Sequence, residues 1–178
     1  QNEYGYYRWN AFKPGGNANT HGTAYVMRGL LQIYCLNGEP EFLASVRLAA
    51  DRACAVYAEH GAITAEIGAR WEPLSSHVCL TGYAQLAIIL YRLFLITGEA
   101  RYRGTADALL ADAAKHQALG NGRKPWHGAL PGSFPIWGRY APLQYPNWAT
   151  KFLVDAILTQ RFVNAGGRTL PDADLYAG

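Results

Sequence analysis

The chain has 178 residues, half of them hydrophobic and 16% charged, with a formal net charge of +3. That is the composition of one globular domain with a core of its own, not of a disordered chain. No Lys/Arg run marks a nucleic-acid interface, and no stretch reaches the ~20 apolar residues of a membrane span, since Cys79–Ile96 is interrupted by Gln85 and Arg92.

In chain order, residues 1–21 form a first loop, beginning at Gln1 rather than a methionine and without a signal-peptide pattern, as in a processed or excised chain. Its "GGNANTHG" lacks the Lys-Ser/Thr of a phosphate-binding loop and is expected to end in a helix cap at Asn19 or Thr20. Residues 23–36 are apolar nearly all round, which predicts a helix buried on most sides. After Gly38, residues 41–58 carry one stripe of Phe42, Val46, Ala49, Ala53 and Tyr57, an amphipathic helix. A second loop covers 60–78. Residues 80–96 are again apolar, Gly98 marks a turn, and 101–117 are again amphipathic. The loop at 119–146 is long, and 147–162 reads as a last apolar helix with Trp148, Phe152, Ile157 and Leu158 inward and a Lys151–Asp155 pair. Cys35, Cys54 and Cys79 form no disulfide framework and no zinc spacing. They read as free buried thiols of a reducing compartment, so the cytoplasm is expected, with the periplasm or secretion as alternatives.

Two segments repeat. "HGTAYVMRGLLQIYCLNGEPEF" from His21 and "TGYAQLAIILYRLFLITGEARY" from Thr81 align at an offset of 60 residues, matching Gly22 with Gly82 and Gly38-Glu39 with Gly98-Glu99. Gly22 and Gly82, at the starts of apolar helices, are expected to permit close packing. The order buried, amphipathic, buried, amphipathic, buried implies inner and outer layers of helical hairpins at about 22–60 and 79–118, with a final inner helix at about 147–163. The predicted class is therefore all-α, an (α/α) toroid, with a straight α-solenoid as the rival. The long loops all precede inner helices, which gathers them at one end and favours the toroid. The length suits about half of an (α/α)6 barrel, the rest being a missing half or a second chain.

"CLTGYAQLAIILYRLFLITGEARY" followed by "GALPGSFPIWGRYAPLQYPNWATKFLVDAIL" resembles the C-terminal half of bacterial α/α-toroid proteins of the six-hairpin glycosidase-like superfamily, sometimes labelled prenyltransferase- or squalene-cyclase-like. The resemblance spans about residues 20–162. It implies the toroid and an association with polysaccharide assembly or modification. It assigns no catalytic residue, because the superfamily includes hydrolases, lyases, epimerases and non-enzymatic members.

Site expectations centre on residues 125–148, which hold three of the five tryptophans, five of the nine prolines and no acid. Tryptophan and tyrosine faces stack on sugar rings, so Trp71, Trp126, Trp137, Tyr145 and Trp148, with His21 and Asn147, are candidate saccharide-binding residues. Arg139, between Trp137 and Tyr140, is placed to grip a carboxylate. The interval between Asp112 and Asp155 carries basic residues but no carboxylate, which points to an acidic saccharide such as a uronate chain. Candidate catalytic residues are Glu72, His77, His127 and Tyr140. A hydrolase needs two carboxylates about the bond, whereas a lyase or epimerase needs a His or Tyr base and an Arg against the uronate carboxylate. A non-catalytic glycan-binding or scaffold toroid is the second reading. A prenyltransferase or terpenoid cyclase is the third, weakened by the missing acids for magnesium diphosphate. No metal or cofactor is expected.

Overall fold

The computed structural model describes residues 1–120, 122 and 124–168. Its regular structure is mostly helical: α1 (Thr20–Asn37), α2 (Pro40–His60), α3 (Leu80–Thr97), α4 (Ala100–Ala114) and α5 (Asn147–Asn164). Four two-residue strands accompany them, β1 (Ala18–Asn19), β2 (Glu66–Ile67), β3 (Val78–Cys79) and β4 (Ser133–Phe134).

The local sequence explains where these helices start and stop. Asn19 caps α1 by accepting from the His21 N–H at 2.9 Å, satisfying a donor the helix itself leaves unpaired. At the far end Gly38 turns left-handed (φ 73°) and its N–H bonds the Tyr34 carbonyl, a stop that glycine makes without a Cβ penalty. Gly98 ends α3 in the same way on Phe94. α2 starts on Pro40, tolerated in a first turn where the missing N–H costs nothing.

α1, α3 and α5 form one layer and α2 and α4 the other, with α3 packed against α1, α4 and α5. α3 is buried from Leu80 to Leu93 on every face. Among the described residues it is the one helix long and apolar enough to cross a bilayer, and most of it is covered by the other helices. α1 and α5 depart from the expectation of all-round burial. On α1, Tyr25, Gly29, Ile33 and Leu36 are exposed, and on α5 Trp148 and Leu158, expected inward, are about half exposed, while Phe152 is buried. These helices flank α3, so each has a side that no described helix covers. The rings of Tyr25 on α1 and Phe152 on α5 nevertheless approach each other to 6.0 Å, with the Arg28 guanidinium 5.6 Å from the Phe152 ring.

Polar clasps tie the helices together, α2 to α4 within one layer and α3 and α5 to α4 between layers. Tyr102 donates to Asp51 and Tyr91 to Asp107, both at 2.6 Å, and Gln160 of α5 reaches the same Asp107 oxygen at 2.7 Å. Arg47 of α2 meets Glu99 at 2.6 Å. The three cysteines are free thiols.

The repeat extends into the loops, where the sequence shows no similarity. β1, just ahead of α1, pairs antiparallel with β2 in the loop after α2. β3, just ahead of α3, pairs in the same way with β4 in the loop after α4. Thr20 N–H bonds the Ala65 carbonyl and Leu80 N–H bonds the Gly132 carbonyl, each at 3.0 Å. Where α3 meets α1, a Cβ on Gly82 would lie 2.9 Å from Thr20 Oγ1 and 3.2 Å from the His21 nitrogen. Gly82→Ala is therefore expected to destabilise the fold by about 1–3 kcal/mol through overpacking. Gly29→Ala, on an exposed helical face with nothing within 4 Å, should be neutral or stabilising by up to about 1 kcal/mol. Urea unfolding of both variants checks this contrast.

Candidate functional site

The ladders place the starts of α1 and α3 at one end of the molecule, the start of α5 joins them through the Trp148–Tyr140 bond, and a cleft of about 560 Å³ opens there. Its walls come from all three long loops: Phe12, Lys13 and Asn17 from the first, Glu66 and His77 from the second, Arg139 and Tyr140 from the third, with Trp148 at the start of α5. Two cations face one carboxylate here. The positive ends of three helix dipoles lie at the same rim, so the cleft favours an anion.

His77 precedes β3 and is held by its backbone, whose carbonyl accepts from the Ala65 N–H at 2.8 Å. Its ring packs on Gly138, where a Cβ would come within 2.6 Å of the imidazole; only glycine leaves that space. The residue as a whole is 7% exposed. Burial lowers its pKa, Glu66 pulls it back up, and Arg139 pushes it further down. The ring is thus neutral at pH 7, able to accept a proton. Asn17 donates to Glu66 at 2.9 Å and fixes that carboxylate at the cleft wall.

Tyr140 sits at the centre of an aromatic group. Its ring lies 5.9 Å from Phe12 and 5.2 Å from His21, and its hydroxyl oxygen accepts from Trp148 Nε1 at 2.8 Å. Burial pushes the phenol up to about 12, which keeps the proton on and makes Tyr140 a donor at neutral pH rather than a base. Beneath it, His21 Nδ1 meets Gln85 Oε1 at 2.6 Å. The Gln85 Nε2 is buried without a partner, a cost of about 1–3 kcal/mol that is more often tolerated at a functional site than in an ordinary core.

The other expected site residues are dispersed. Trp71 is 1% exposed and belongs to the core, not to a sugar-binding wall. Its N–H bonds the Gly68 carbonyl, and this tight turn rotates the indole inward, where its apolar area is removed from water. Glu72 is exposed and accepts from the Arg70 N–H of the same turn, outside the cleft. His127 is exposed and lines no cavity with the other candidates, and Trp137, 72% exposed, stands beside Arg139 without lining the cleft. Trp126, Tyr145 and Asn147 share a separate cavity along α5. Reading the sequence by residue type passed over Phe12, Lys13 and Asn17. The only signal for them was their place in the Gly/Asn-rich loop just before α1. Among the described residues, no group of three or more His, Cys, Asp or Glu side chains could hold a metal ion.

Compared with protein-family models, curated proteins and solved structures, the chain matches none of them.

Burial of neutral imidazole makes stability pH-dependent. His21 is held below the ordinary histidine value by burial, partly offset by Gln85, and His77 and His116 are lowered as well. The unfolded chain takes up these protons near its ordinary value of about 6.5, while the folded chain refuses them until a lower pH. Their contribution is therefore intact above that value and lost as pH falls through the window below it. The melting temperature should drop between about pH 7.5 and about pH 5. His21→Asn, whose amide can still reach Gln85, should flatten that drop, as calorimetry at the two pH values would register.

Proposed function

We propose that the chain is an α/α-toroid segment that binds an acidic saccharide at the loop end of its inner helices and removes the proton beside the uronate carboxylate, the chemistry shared by lyases and epimerases. The observation that carries this reading is one cleft holding a neutral His77, Arg139 and Lys13 together with the rings of Phe12, Tyr140 and Trp148. The approach of Tyr25 of α1 to Phe152 of α5 is compatible with the closing inner wall of a toroid.

In this reading Arg139 pairs with the carboxylate and so stabilises the charge that develops when the adjacent C–H is broken. His77 takes the proton. In elimination the C–H electron pair becomes a C=C bond as the neighbouring glycosidic C–O bond breaks, and the leaving oxygen gains a proton. In epimerisation a proton returns to the same carbon from the other face. Tyr140, protonated at neutral pH, has the state needed to donate. Two-carboxylate hydrolysis is less well supported, since Glu66 is the one acid lining the cleft. A prenyl diphosphate site lacks the acids for its metal.

Non-catalytic glycan binding is the second reading, favoured by the near-complete burial of His77. Solvent-deuterium exchange at the carbon beside the carboxylate separates the two, because both elimination and epimerisation break that C–H bond. With hexuronate oligosaccharides the wild type should exchange, and His77→Gln should bind normally but not exchange; binding without any exchange would leave the glycan-binding reading. Arg139→Ala should weaken uronate binding by about 10-fold or more, the loss of one hydrogen-bonded charge. Equal calorimetric affinity for neutral and acidic oligosaccharides would overturn the acidic assignment.

A further inference from the structure

A second cavity of about 550 Å³ lies along α5, lined among others by Trp126, Tyr145, Asn147, Thr150, Lys151 and Asp155. Nothing in the chemistry assigned to the cleft uses it. The Trp126 and Tyr145 rings stand nearly parallel, 11° apart in plane with centroids at 6.3 Å. Lys124 Nζ lies 5.4 Å from the centre of the Trp126 ring, and Trp126 still keeps 44% of its surface exposed. Below the rings Lys151 and Asp155 form an ion pair at 2.5 Å. An indole edge, a cation, an amide and a paired carboxylate together match a pyranose: a ring face to stack, hydroxyls to accept from and donate to, and charge for a uronate group.

Position gives the second argument. Asn147 lines this cavity and Trp148 lines the cleft. They are consecutive residues, about 3.8 Å apart along the backbone, so the two cavities adjoin on either side of the first turn of α5. A saccharide chain leaving the cleft past Trp148 meets Trp126 and Tyr145 next.

We propose that this cavity is a second subsite for the same acidic glycan, so that the ligand is a polymer held at two places rather than a monosaccharide. The proposal takes its ligand class from the cleft reading, but each site has its own reporter. Trp148 reports the cleft, Trp126 the second subsite, and buried Trp71 is a control. Indole N–H resonances, assigned with single Trp→Phe variants, are followed on adding dimers and hexamers of galacturonate and mannuronate, with maltohexaose as the neutral probe.

A uronate hexamer should shift Trp148 and Trp126 and leave Trp71 unmoved, and it should bind at least about 10-fold tighter than the dimer through its second contact. Trp126→Ala, at an exposed position, should remove most of that gain and bring hexamer affinity close to that of the dimer. A shift of Trp126 without one of Trp148 would support the subsite and overturn the cleft assignment. Trp126 unmoved by every hexamer, or a length-dependent gain that survives Trp126→Ala, overturns the subsite. An equal response to maltohexaose overturns its acidic class.

Discussion

The structure depends on how the starts of two inner helices, α1 and α3, are tied down. A two-residue strand is too short to stabilise anything as a sheet, but β1 and β3 each pair with a strand from the loop after the following outer helix. Each pairing also satisfies the first orphan N–H of an inner helix, Thr20 on Ala65 and Leu80 on Gly132. The loops after α2 and α4 must therefore return to the starts of α1 and α3. That requirement lines up the starts of the inner helices, gathers the loops at one rim, and brings Asn17, His77 and Arg139, far apart along the chain, to one cleft. The outer turns, Gly38-Glu39 and Gly98-Glu99, need only two residues each because nothing has to be built there.

Much of this organisation was legible in the sequence, because helices announce themselves through periodicity and caps. The Gly-Glu turns, the alternation of apolar and amphipathic helices, and the tight contact at Gly82 all have local signatures. The ladders have none: two residues are too few for an alternation to register. The site was only partly legible for a related reason. A tryptophan in a loop gains about 1.5–3 kcal/mol or more by turning inward, and only the turn geometry decides whether it can. Gly68 lets Trp71 do so, whereas Trp148 is held outward by its bond to Tyr140. Residue type alone reads those two indoles alike. Likewise the apolar pattern of α5 is that of a covered helix, but how many neighbours cover it is a tertiary fact.

Burial sets the protonation states in the cleft, and all in one direction. Desolvation disfavours charge, so it leaves His77 neutral and Tyr140 protonated at the same pH. A neutral imidazole beside a protonated phenol is an acid–base pair in which the base is the histidine. The cations at the rim, Lys13 and Arg139, are exposed. In the proposed function this arrangement would serve the removal of a proton made acidic by a neighbouring carboxylate.

The distribution of exposed aromatic surface carries the argument beyond a single pocket. Isolated exposed rings are common on soluble proteins, but a run of them along one rim is not. From Phe12 to Tyr140 to Trp148 the rings are linked by contacts within the cleft, and just past Asn147 the Tyr145–Trp126 pair continues the series. Prolines 125, 131, 135, 142 and 146 stiffen the loop that carries three of these five rings. A loop that only sealed the end of the helices would have its rings facing inward, as Trp71 does. Stiffness combined with outward-facing rings lowers the entropy lost on binding, and it is most useful to a ligand long enough to touch several rings at once.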